Sequence, residues 1–77
     1  MPKVIHVTGL AGLRRAALLS QRELAEHVGV NIRIVQSWES GEKSPRPQHQ
    51  RRLVEVLGVT PAELLEAIGV NRFLTTS

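Results

Sequence analysis

Apolar residues recur every three or four positions through most of this 77-residue chain, and glycines and prolines interrupt them at short intervals. That pattern predicts five short helices. Leu10, Leu13, Ala17 and Leu18 fall on one face of a first helix over residues 10–18, which Thr8 or Gly9 can cap. Ser20 and Glu23 stand in the S-x-x-E relation of a capping box and start a second helix, with Leu24, Ala25 and Val28 inward and Gly29 as its stop. Asn31 caps a third, Ile32–Ser40, which Gly41 closes. Pro45 and Pro47 stiffen "EKSPRP", and Pro47 opens a fourth helix to Leu57 with Leu53, Val56 and Leu57 inward. Thr60, Pro61 and Glu63 repeat the capping logic for a fifth, ending at Gly69, whose inner residues are Leu64, Leu65 and Ile68. The expected organisation is an all-α domain over residues 10–69, between an N-terminal arm, 1–9, and a short tail, 70–77. The arm, "MPKVIHV", fits either a strand or an irregular segment.

The third helix has an unusual outward side. At about 100° per residue, Val35 and Trp38 share one side with Asn31 and Glu39 at its flanks, while Arg33, Gln36, Ser37 and Ser40 gather opposite and Ile32 and Ile34 lie on the borders. A merely solvated face would carry more Lys and Glu, which form helices well and keep proteins soluble. Arginine, glutamine and serine instead match the donors and acceptors on base edges in a DNA major groove.

Composition narrows the alternatives. A chain this short makes one domain with a small core, so a partner subunit is expected. Lys plus Arg outnumber Asp plus Glu by 10 to 7, an excess that fits a polyanionic partner without requiring one. The absence of cysteine removes disulfides and thiolate metal sites. His6, His27 and His49 are scattered without an acid at ligand spacing, so no metal or other cofactor is expected. With no Gly-rich phosphate loop and no Ser, His and acid set that the helices would bring together, an enzyme is not expected either. The first residues lack a signal-peptide pattern and no stretch approaches a membrane span, which makes the cytoplasm the expected compartment and a membrane an unexpected partner.

Spacing supplies a sharper reading. Gln21, Ala25, Gly29, Val35 and Trp38, with Leu24, Val28 and Val30 between them, sit at the places that define the helix-turn-helix of the lambda-repressor and Cro-like (XRE-type) family. "LRRAALLSQ", "WESGEKSPRP" and "LVEVLGVTPAELL" resemble its flanking segments, and the likeness spans residues 10–68. It implies a five-helix fold with the helix-turn-helix at the second and third helices. It also implies double-stranded DNA as partner, with Ile32, Arg33, Gln36 and Ser37 reaching bases, and Gln21, Asn31, Ser40, Lys43 and Arg46 gripping phosphates. Arg14 and Glu39 match a buried ion pair tying the first helix to the third. Two departures stand out: isoleucine at 32 cannot pair bidentately with adenine, and Leu18 occupies a place that usually holds glycine, so a different turn is expected there.

The resulting expectation is a sequence-specific transcriptional regulator, a small homodimeric repressor reading an inverted repeat. Leu65, Ile68, Val70, Phe73 and Leu74 are its expected dimer contacts, with a cross-dimer strand from "KVIHV" as the other candidate. The alternative is an antitoxin-like interaction module with auxiliary DNA binding, whose main partner is a protein such as a toxin or a polymerase.

Overall fold

In the computed structural model, residues 9–75 are described in backbone and residues 9–69 in side chain. The expectations for Thr8, His6, the "KVIHV" strand and the side chains of Val70, Phe73 and Leu74 lie outside the described residues. Five helices follow in order: α1 Gly9–Ala16, α2 Gln21–Val28, α3 Ile32–Ser40, α4 Pro47–Leu57 and α5 Pro61–Thr75. Among the described residues there is no strand, and no helix is long and apolar enough to cross a membrane.

Their starts follow the local chemistry of the sequence. Ser20 Oγ accepts from the Glu23 amide at 3.0 Å while Glu23 Oε1 accepts from the Ser20 amide at 2.8 Å, so two otherwise orphaned donors of α2 are satisfied reciprocally. Thr60 and Glu63 do the same for α5, at 3.1 and 2.8 Å. Asn31 Oδ1 accepts from the Arg33 amide at 2.8 Å and opens α3. Pro47 stands in the first turn of α4, where its missing N–H costs nothing.

Helix ends are where structure and expectation part. The α1 helix stops at Ala16, and Leu18, expected on its inner face, is 89% exposed with φ 61°. The Leu18 amide donates to Arg15 O at 2.9 Å and the Leu19 amide to Arg14 O at 3.2 Å, which is the paired closure of a helix turning out through a left-handed residue. The same five-residue return joins Val30 to Ala25 after Gly29, φ 87°. Leucine thus makes the same kind of left-handed turn that glycine makes, rather than a different one. At the other end of the chain, α5 does not stop at Gly69 but runs on to Thr75. Gly69 lacks the positive φ of a terminating glycine, and no proline follows to break the hydrogen-bond ladder.

The core is one cluster of Leu10, Leu24, Ala25, Val35, Trp38, Leu53, Leu57, Leu64 and Ile68. Every helix contributes to it, because α1 packs on α5 and α3, α2 on α3 and α4, and α5 on α3 and α4. Val56, expected inside, is half-buried at the margin. Leu65 turns outward at 55% exposure, and Ala67 takes an inner place. At Leu64 and Ile68, four residues apart, the helical repeat faces inward; Leu65 is one step of about 100° away from it.

Candidate nucleic-acid interface

The α3 helix is clamped from behind. Val35 and Trp38, 0% and 4% exposed, anchor it in the core, and each removes apolar surface worth roughly 1.5–3 kcal/mol or more from water. Arg33, Gln36 and Ser40 are exposed on the opposite side and Ser37 is half-buried. No hydrogen bond or ion pair holds the Arg33 guanidinium among the described residues. Ile32 is half-buried and packs against the core, so only an edge of it is left for a base. The Ser37 hydroxyl donates to Ile34 O at 2.7 Å, which leaves its oxygen to act as an acceptor; the Ser40 hydroxyl donates to Ser37 O at 3.2 Å and accepts from the Glu42 amide at 3.4 Å, so Ser40, expected on a phosphate, is engaged at the end of α3.

Behind this face lies a polar chain that ends in a buried ion pair. Arg14 Nε meets Glu39 Oε2 at 2.6 Å and Arg14 Nη2 meets Oε1 at 3.3 Å, with both side chains under one-tenth exposed. Arg14 Nη1 also donates to Leu19 O at 2.9 Å, which ties the pair to the α1–α2 turn. Desolvation offsets much of the attraction in such a pair, so its value is orientation: it sets α1 against α3. Gln21 Nε2 then donates to Glu39 Oε1 at 2.9 Å, and Gln36 Nε2 donates to Gln21 Oε1 at 3.2 Å. Gln21, expected on a phosphate, therefore spends one N–H and its carbonyl within the protein and keeps one N–H for a ligand. Asn31 likewise spends Oδ1 on the α3 cap.

Beyond α3, residues 41–46 hold Lys43 and Arg46, the residues expected to grip the DNA backbone. The Lys43 amide donates to Ser37 O at 3.1 Å, Pro45 is buried, and Gln50 Nε2 donates to Pro45 O at 2.9 Å, so this loop is braced at three points. Lys43 and Arg46 project from it, both exposed. With Ser44, His49, Ile34 and Trp38 they line a cleft of about 210 Å³, and the His49 ring sits 5.4 Å from that of Trp38. A cationic, hydroxyl-bearing cleft beside the exposed α3 face is suited to a phosphate oxygen. Sequence reasoning had passed over Ser44 and His49. The signal for His49 is its place three residues into α4, next to the loop, and it becomes meaningful only once Trp38 is known to floor the cleft.

One carboxylate in the region is clearly perturbed. Glu23 is held below the ordinary glutamate range by its hydrogen bond from the Ser20 backbone and then by the Ser20 side chain, with a smaller contribution from His27. Among the described residues no group of three His, Cys, Asp or Glu is placed to hold a metal ion.

Of the expected dimer contacts, Ile68 is 8% exposed and belongs to the core of its own chain, so it has little surface for a partner. Leu65 is exposed and lines an apolar groove of about 450 Å³ between α4 and α5, with Pro47, Val54, Pro61 and Leu64.

A family model described as helix-turn-helix matches residues 10–64, more than half of the chain and all of α2, α3 and the braced loop. No match was found among curated proteins or among solved structures.

Proposed function

Because the chain belongs to the helix-turn-helix family of DNA-binding regulators, with its five-helix lambda-repressor-like fold, we propose that it is a sequence-specific transcriptional regulator, acting as a homodimeric repressor on an inverted-repeat operator. The observation that carries this reading is the division of α3: Val35 and Trp38 hold it rigidly from behind, while Arg33 and Gln36 stand exposed in front. A helix so anchored presents its outer side chains at a set height and angle, which base readout requires. In this reading Arg33 pairs with guanine O6 and N7, Gln36 with adenine and Ser37 with a neighbouring acceptor or donor, and the edge of Ile32 packs on a thymine methyl. Lys43, Arg46 and the remaining N–H groups of Gln21 and Asn31 hold phosphates on either side, and Ser40 joins them by turning its hydroxyl away from Ser37 O.

Dimerisation follows from arithmetic as much as from surface. One recognition helix reads too few base pairs for useful specificity, whereas two related by a twofold axis read half-sites roughly 34 Å apart. Leu65 at the α4–α5 groove supports a contact through α5.

The test is selection of duplexes from a random pool by the purified protein at about 0.15 M salt, where non-specific phosphate binding is weakened. An enriched inverted repeat is expected. Arg33→Ala should then cost roughly 1–3 kcal/mol on the selected site and relax one base position. A uniform loss on all sequences would reassign Arg33 to a phosphate, and a pool with nothing enriched would turn the search toward a protein partner.

A further inference from the structure

We propose that His49 is a third phosphate-binding side chain beside Lys43 and Arg46, and that it takes up a proton as duplex DNA binds, so that affinity rises on mild acidification. The proposal rests on the reading of α3 and the loop after it as a DNA-binding surface. It starts from the cleft of about 210 Å³ in which Lys43, Ser44, Arg46 and His49 surround Ile34 and Trp38. Of these side chains only the imidazole changes charge between about pH 5 and 8. The His49 ring is half-buried and stands 5.4 Å from the Trp38 ring, tilted by 47°. Among the described residues neither of its nitrogens has a hydrogen-bond partner. The ring is therefore held in place by packing while its polar atoms stay available to a ligand.

The charges around this ring are of one sign. Lys43 and Arg46 face it from the loop, and Arg52 lies one turn further along α4, bonded to His27 O at 3.1 Å and 3.5 Å from Glu55. The first turn of α4 holds no acid, and its N-cap residue makes no side-chain cap, so the positive end of the helix adds to the same field. From α3 the ring meets Ile34 and Trp38, which carry no charge. Both α2 and α5 also pack on α4 but contribute no residue to the lining. No carboxylate lines the cleft among the described residues: Glu39 is engaged with Arg14, and Glu42 is exposed outside it. Without DNA, a proton on this ring adds to a field of like charge. One phosphate between the three groups attracts all of them, and an opposite charge within about 4–6 Å favours the protonated imidazole. The indole helps to accommodate that cation, which an aromatic ring attracts within about 6 Å. Linkage then requires that the proton favour the phosphate as much as the phosphate favours the proton. Because the bound state holds more protons, affinity is highest below the ordinary imidazole range, about pH 6.5, and declines as pH rises through it.

The experiment measures affinity for a labelled duplex recovered by the selection above, by fluorescence anisotropy, from about pH 8 to about pH 6, a range in which carboxylates and lysines keep their charge. Wild type should bind about tenfold more tightly at the acid end. Its slope of log affinity against log salt should also steepen there, by up to about 0.9 per half-site, because a further phosphate is neutralised. His49→Gln keeps a polar side chain that cannot be protonated and should remove both effects, whereas His27→Gln should keep both. A His49→Gln protein with the wild-type pH dependence overturns the proposal and assigns the proton to another histidine. Equal wild-type affinity at both ends of the range overturns it too, while an enriched repeat keeps α3 as a reader. If no duplex is enriched, the DNA-reading role fails and the proposal with it. NMR titration of the His49 ring in the wild-type protein gives a reading independent of how the variants fold. Its midpoint should lie higher in the DNA complex than in the free protein; the same midpoint in both would overturn the coupling.

Discussion

Leu18 carries the clearest local conflict in the molecule. A leucine at φ 61° crowds its Cβ against the following carbonyl at a cost of roughly 1–2 kcal/mol, and at 89% exposure it gains almost no packing in return. Glycine would relieve the crowding but adds freedom to the unfolded chain, which returns part of the gain. Leu18→Gly should therefore stabilise the protein by about 0.5–1 kcal/mol, raising the melting midpoint by about 2–8 °C, as followed by the emission of Trp38, the one tryptophan of the chain. A lower midpoint would mean that Leu18 makes a contact that this chain alone does not contain. At Glu39 the residue-scale consequence runs the other way. Glu39→Ala leaves Arg14 buried without its countercharge and should cost roughly 3–5 kcal/mol in denaturant unfolding, a large share of the stability of so small a domain. The pairing of residues 14 and 39 came from the family likeness; what the structure adds is that Gln21 and Gln36 continue it to the surface.

Among elements, α2 depends most visibly on its cap. The Glu23 carboxylate is stabilised in its charged form in the folded chain, so its contribution is fully present above the ordinary glutamate range and is lost as pH falls through the lowered folded value. Melting temperature should decline on acidification below about pH 4.5, and Glu23→Gln should flatten that part of the profile. A profile that is the same in both proteins would assign the acid loss to other carboxylates. Helix starts were legible from sequence at Ser20, Asn31, Pro47 and Thr60, because capping is a matter of residues two or three apart. Helix ends were less so. Gly29 marked an end and Gly69 did not, since glycine permits the left-handed turn that ends a helix without requiring it. At Leu18 the family likeness marked a turn, but that leucine would take glycine's left-handed conformation could not be read, because its own preference opposes it.

At the scale of the whole molecule, the charged groups act together. Lys43 and Arg46 flank a cleft beside the exposed face of α3, and their net effect is to attract a polyanion without choosing its sequence. Lys43→Ala should weaken binding by a similar factor on every duplex and reduce the slope of log affinity against log salt by about 0.9 per half-site. A loss confined to one sequence would make Lys43 a reader of bases. In the proposed reading, this cleft supplies affinity and the α3 face supplies specificity.

Periodicity and spacing by themselves determined the five helices, the turn at Gly29, the anchoring pair Val35 and Trp38 and the outward group around Arg33, because each depends on separations of a few residues along one chain. Tertiary structure alone decided three things: that Leu18 turns outward, that Leu65 leaves the core while Ala67 enters it, and that Gln21 lies between a buried carboxylate and the exposed Gln36. Each depends on groups brought together from different helices, in the last case 15 and 18 positions apart, and hydrogen-bond direction there follows from a charge that only folding places at the end of the chain of amides.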